Sequence, residues 1–132
     1  LTELRVLDLW STEVGSDAIA ALADLKALEQ LQLEGTKVDA RALTTLAGFT
    51  ELRWLGLSAT AVDGGLHLLS GLVLLEQLDL NETDIDDAAL ARLPSLPRLH
   101  TVNAMHTRAT ADMGDRLSTD QLTVNVANDC SG

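Results

Sequence analysis

Cysteine is almost absent from this chain. The single copy, Cys130, cannot close a disulfide within it, which excludes the crosslinked class of small secreted domain. Cys130 would open a cysteine cap only with further sequence after it. Aromatic residues are nearly as scarce: Trp10, Phe49 and Trp54 are the only three, and there is no tyrosine. With 46% apolar residues a continuous core is available, so leucine and alanine must fill it. Positive charge is short as well. Nine basic residues against twenty acidic ones leave a net charge of −11, and no Lys/Arg run offers a local exception. DNA, RNA and anionic membrane surfaces are therefore disfavoured, whereas a basic partner would be attracted nonspecifically. Charge interrupts every apolar stretch well short of the ~20 residues a membrane span needs, so no membrane insertion is expected.

Familiar chemistry is missing too. Neither of the glycine-rich phosphate-binding patterns occurs. His100 and His106 stand about 20 Å apart at full extension, too far to share a metal, and His67 belongs to another part of the repeat described below. No base can be identified beside Cys130 to make it a nucleophile. Asp8 and Asp79 fall three strands apart, so they share no carboxylate site. The chain is expected to be no enzyme and to need no cofactor or metal.

What it does contain is one phrase, L-x-x-L-x-L-x-x-T-x-[VI], four times over. It reads LRVLDLWSTEV from Leu4, LEQLQLEGTKV from Leu28, LRWLGLSATAV from Leu52 and LEQLDLNETDI from Leu75. A weaker copy, LHTVNAMHTRA, starts at Leu99, and the starts are 24, 24, 23 and 24 residues apart. A fixed period of this size marks a solenoid in which each unit stacks on the next. The pairs Leu7/Leu9, Leu31/Leu33, Leu55/Leu57, Leu78/Leu80 and Val102/Ala104 are spaced by two, so both members point to one side of a strand. A second apolar set follows in three-residue steps: Ile19/Leu22/Leu25, Leu43/Leu46/Phe49, Leu66/Leu69/Leu72 and Leu90/Leu93/Leu96. That spacing suits a short helix or 3₁₀ segment, and it places Phe49 in the core.

Short polar residues stand where each helical segment begins: Ser16 and Asp17, Asp39, Asp63, and Asp86 with Asp87. Their oxygens are expected to accept hydrogen bonds from the free N–H groups of a helix start. The third repeat is one residue short at Gly64 and Gly65, which predicts a tighter turn.

Over roughly residues 1–110 the sequence resembles the leucine-rich-repeat family. It is most similar to the 24-residue, threonine-containing repeats of bacterial and protist proteins. The resemblance implies an α/β fold: a right-handed leucine-rich-repeat solenoid with a parallel β-sheet on the concave face and short helices or 3₁₀ segments on the convex face. It also implies protein recognition through the concave face. The column Thr12, Thr36, Thr60, Thr83 and Thr107 stands where many such repeats carry asparagine. Its hydroxyls are expected to bond the backbone of the loop after each strand, in preference to serving as a row of phosphorylation sites. The tripeptide Asn81-Glu82-Thr83, which matches a glycosylation signal, then falls on this column by chance. The pattern weakens where Ala104 and Ala109 replace large core residues. The tail DQLTVNVANDCSG is expected to add a last strand with Val124 and Val126 in the paired positions.

The whole of 1–132 thus reads as one domain, with repeats starting at 4, 28, 52, 75 and 99 and a C-terminal cap over 111–132. Leu1 falls in the column of Leu25 and Phe49, as if a repeat preceded it, so the chain reads as part of a longer protein with an unpaired edge at its first strand. The missing disulfide caps favour a cytoplasmic setting, with a secreted or cell-surface parent as the alternative.

Strand alternation leaves three outward columns: Val6, Gln30, Trp54, Gln77, Thr101; Asp8, Gln32, Gly56, Asp79, Asn103; and Trp10, Glu34, Ser58, Asn81, Met105. A fourth, Ser11, Gly35, Ala59, Glu82, His106, lies just past the strand. Both tryptophans fall here, with backbones roughly 16 Å apart. Tryptophan is the residue most enriched in binding hot spots. Each is either an anchor for a partner or a cover for neighbouring backbone, Trp54 over Gly56 and Ala59. As an anchor, Trp54 would wall a shallow socket floored by Gly56, Ser58 and Ala59. Asp8, Gln30, Gln32, Glu34, Asp79, Asn81 and Glu82 flank the two rings and would suit a partner segment carrying Lys or Arg. The expected function is a noncatalytic, monomeric protein-binding module whose site comprises Trp54, Trp10, Gln30, Gln32, Glu34, Asp79 and Asn81. Alternatives are the substrate-recognition part of a larger ubiquitin ligase or secreted effector, a carbohydrate receptor, and a structural spacer.

Overall fold

The computed structural model describes residues 3–126. Leu1 and Cys130, for which a core column and a cap were expected, lie outside them. Six strands of three residues each form one parallel sheet in sequence order: β1 (Val6–Asp8), β2 (Gln30–Gln32), β3 (Trp54–Gly56), β4 (Gln77–Asp79), β5 (Thr101–Asn103) and β6 (Thr123–Asn125). Every turn of the coil returns the chain beside its previous strand, so all neighbours run the same way. The register follows the period: Leu7 faces Leu31, then Leu55, Leu78, Val102 and Val124. The expected strand in the tail is β6.

The core lies between the sheet and the helical segments. Leu31, Leu55, Leu78 and Val102 have no accessible surface, and neither do Leu33, Leu57, Leu80 and Ala104. Phe49 is equally buried in its leucine column. The helical side is built from α1 (Ser16–Ala20), a 3₁₀ turn (Ala40–Ala42) running into α2 (Leu43–Leu46), a 3₁₀ segment (Leu66–Gly71), α3 (Asp87–Leu90) and α4 (Ala111–Leu117). The short third repeat uses 3₁₀ geometry throughout. Its larger rise per residue, about 2.0 Å against 1.5 Å, spans the same distance with one residue fewer. Gly65 opens that segment at φ +81°, and a Cβ there would come within 3.0 Å of Leu43 Cδ1.

Each of the first five strands ends in a tight turn with one construction throughout. The threonine hydroxyl donates to the carbonyl three residues back: Thr12 to Leu9, Thr36 to Leu33, Thr60 to Leu57, Thr83 to Leu80 and Thr107 to Ala104, all at 2.7–2.8 Å. The threonine column therefore closes the turn inside its own repeat. The residue before each threonine takes positive φ: Ser11, Gly35, Ala59, Glu82 and His106, between +55° and +74°. Only one of the five is glycine. The column expected to face outward just past the strand is thus the left-handed corner of the turn.

The acidic residues at the helix starts divide their work. Asp39 and Asp86 accept from the N–H groups of Arg41 and Ala89, as caps should. Ser16 does not cap α1. Its hydroxyl donates to Asp39 Oδ1 at 2.8 Å and accepts from the Asp39 N–H at 3.2 Å, which ties the first repeat to the second. Asp87 ties the fourth repeat to the fifth by accepting from both the N–H and the hydroxyl of Thr110. Asp63 caps nothing: Gly65 precedes the 3₁₀ segment, and no side chain bonds its start. The missing residue has displaced the aspartate from the capping position.

Candidate interaction surface on the sheet face

The register brings the first two outward columns into rows across the sheet, Val6–Gln30–Trp54–Gln77–Thr101 and Asp8–Gln32–Gly56–Asp79–Asn103. The third column lies in the turns, because the strands stop at their third residue. There the backbone N–H groups are caught by side chains: Trp10 by Asp8 Oδ1, Glu34 by Gln32 Oε1, Asn81 by Ser58 Oγ and Met105 by Asn81 Oδ1, at 2.8–3.1 Å. Amides and hydroxyls on this face thus complete a sheet too short to satisfy its own turns.

Trp54 is half-buried and leans along its strand over Gly56. A Cβ on Gly56 would come within 2.8 Å of the Trp54 ring at Cη2 and 2.5 Å of Gln32 Oε1. Glycine is needed here for space. The indole N–H donates to Asp79 Oδ2 at 3.1 Å, and Asp79 Oδ1 also accepts from Gln77 at 3.1 Å and Asn103 at 2.7 Å. Asn125 continues the chain by donating to Asn103 Oδ1 at 2.8 Å. Asp79 is therefore the centre of a polar network running from β3 to β6. The socket expected beside Trp54 is filled by its own ring over Gly56, and Ser58 beneath is only 6% exposed.

The other predicted residues behave differently. Trp10 is 60% exposed, and Val6, two strand positions before Asp8, is 56% exposed. Gln30 is exposed and lines hollows on both sides of Trp54. Trp10 and Glu34 sit in adjacent turns, joined where the Ser11 N–H donates to the Glu34 carbonyl. Gln32 and Asn81 have one carbonyl oxygen each committed to backbone, and Asp79 is fully engaged.

A row of residues at the start of the strands escaped the sequence reading. The letter after the first leucine of each phrase is Arg5, Glu29, Arg53, Glu76 and His100, the first four alternating in charge across the sheet. Arg5 pairs with Glu29 at 3.6 Å, Arg53 with Glu76 at 3.1 Å, and His100 lies 4.0 Å from Glu76. This lip borders a groove of about 440 Å³ lined by Gln30, Arg53, Trp54, Glu76, Gln77 and His100. The signal lies in the second letter of the phrase, one residue before each strand and so outside the alternation that marks the outward columns. Among the described residues no group of three or more His, Cys, Asp or Glu side chains is placed to hold a metal, and no helix is long and apolar enough to cross a membrane.

A single parallel sheet of aligned leucine pairs, closed at its turns and backed by short helical segments, defines the leucine-rich-repeat solenoid, and this chain has that fold. Two solved structures share the fold. Internalin C2 of Listeria monocytogenes matches 96% of this chain and 53% of its own at 27% identity, with a TM-score of 0.73. The functional domain of InlJ from the same organism, described as including a cysteine ladder, matches 96% of this chain and 30% of its own at 14% identity, with a TM-score of 0.50. That second likeness shows the fold alone. The chain spans about half the length of the internalin C2 structure. No protein-family model matches the chain, and no curated protein matches it.

Proposed function

We propose that this chain is a noncatalytic protein-binding module that holds its partner against the sheet face. A leucine-rich-repeat fold similar to internalins suggests a protein-interaction role. The observation that carries the choice of face is the exposed pair Trp10 and Val6. A large indole and a valine are exposed on the strand and turn of this face, a placement that suits contact with a partner. Trp54 supplies a second apolar surface, held in place by Asp79 and ready without rearrangement. Gln30, Gln32, Glu34 and Asn81 provide the polar surround.

The test compares two sides of the molecule. Peptide ligands are selected from a displayed library of random sequences against the whole chain, and their affinities are measured for two variants. Trp10→Ala should weaken them tenfold or more, about 1.4 kcal/mol, without lowering the melting temperature. Leu68→Ala, an exposed apolar residue on the helical side, should leave them unchanged. Ligands lost with Leu68→Ala and indifferent to Trp10→Ala would sink the proposal.

A further inference from the structure

Between β1 and the Trp54 indole lies a slot of about 120 Å³, lined by Val6, Leu7, Asp8, Gln30, Gln32 and Trp54. We infer that this slot seats one lysine or arginine side chain of a partner segment, an assignment that rests on the protein-binding role proposed above. Its walls are mixed in the way such a side chain requires. Val6 and the indole offer apolar surface to the methylene stem, while the Asp8 carboxylate offers a counter-charge to its head. The indole adds the attraction of its π face for a cation placed over it.

Asp8 is free to act in this way. Its Oδ1 accepts from the Trp10 N–H, and among the described residues no Lys or Arg pairs with it. The neighbouring cations are already committed, Arg5 to Glu29 and Arg53 to Glu76. None of the fifteen residues in the three outward columns of the first five repeats is Lys or Arg, so nothing on the face itself competes. Other occupants fit less well. An apolar side chain would desolvate Asp8 with no compensating bond, and an acidic one meets its charge directly.

This differs from attraction by net charge, which acts everywhere on a chain of −11. The test separates the two. In the selected peptides, Lys or Arg should recur at one fixed position, and replacing it by norleucine should weaken binding about fivefold or more. Asp8→Asn should cause the same loss, and the loss should not grow when the norleucine peptide is used. Glu51→Gln, an exposed acid outside the face, should change affinity less than twofold. Peptides that lack a fixed basic residue yet depend on Trp10 would overturn the slot assignment and leave the binding role standing. Peptides indifferent to both Trp10→Ala and Asp8→Asn would overturn both. Equal losses from Asp8→Asn and Glu51→Gln would also overturn the slot, leaving general charge attraction as the cause.

Discussion

At the scale of single residues, the two tryptophans of this face do different work. Trp10 stands free, whereas Trp54 covers Gly56 and donates to Asp79. Their positions were legible from the period alone, because outward columns follow once the leucines are assigned inward. The lean of the Trp54 ring was not, since it depends on a bare Gly56 and a carboxylate one strand away. The turn corner was equally hidden. Four of its five residues carry a side chain in a left-handed conformation that costs roughly 1–2 kcal/mol, and only Gly35 advertised it. Ala59 has no polar side chain to offset that cost. Ala59→Gly should therefore stabilise the protein by about 1 kcal/mol in chemical denaturation, and Gly35→Ala should destabilise it by as much or more, because its Cβ would also approach Ser11 Oγ at 3.1 Å. A destabilising Ala59→Gly would show that the corner is not strained.

At the scale of elements, the repeats are joined by more than strand pairing. Ser16–Asp39 and Asp87–Thr110 link successive helical segments, and both pairs involve residues whose acidity suggested nothing beyond local capping. A sequence shows which residues suit a helix start. It does not show that one aspartate will face the next repeat, because that depends on the stacking offset. Asp39 carries a consequence for pH. Hydrogen bonds from Arg41, then from Ser16, hold its carboxyl below the ordinary carboxylate value. A lowered folded-state value means the ionised form is favoured by folding. Its contribution is present above the unfolded value, about 3.9, and is lost as pH falls through the folded one. Asp39→Asn should thus melt at a lower temperature than the parent at pH 7, and the gap should narrow as pH falls below about 4. A gap that stays constant through that window would contradict the linkage.

At the scale of the whole molecule, the period dictated far more than composition. The register of the first five strands follows from the period alone, since each repeat places its core residues beside those of the last. A break of one residue in the third repeat was visible as well, though its resolution into a 3₁₀ segment was not. The lip Arg5–Glu29–Arg53–Glu76–His100 shows the other limit: the repeat makes the column plain, but not which of its members pair across neighbouring strands. Division of labour follows from this geometry. Leucines and threonines hold the coil, the polar network around Asp79 fixes the middle of the face, and Val6, Trp10 and Gln30 keep their side chains available.

The claim that the sheet face takes the partner has a direct reporter, because the chain has only two tryptophans and both lie there. In an ¹⁵N-labelled sample the two indole N–H resonances are followed while a selected peptide ligand is added to saturation. Both should move, Trp10 further than the Asp79-bound Trp54, while the methyl resonances of Leu68 and Val73 on the opposite side stay in place. Indole resonances that remain fixed at saturation, with shifts confined to Leu68 and Val73, would contradict the account.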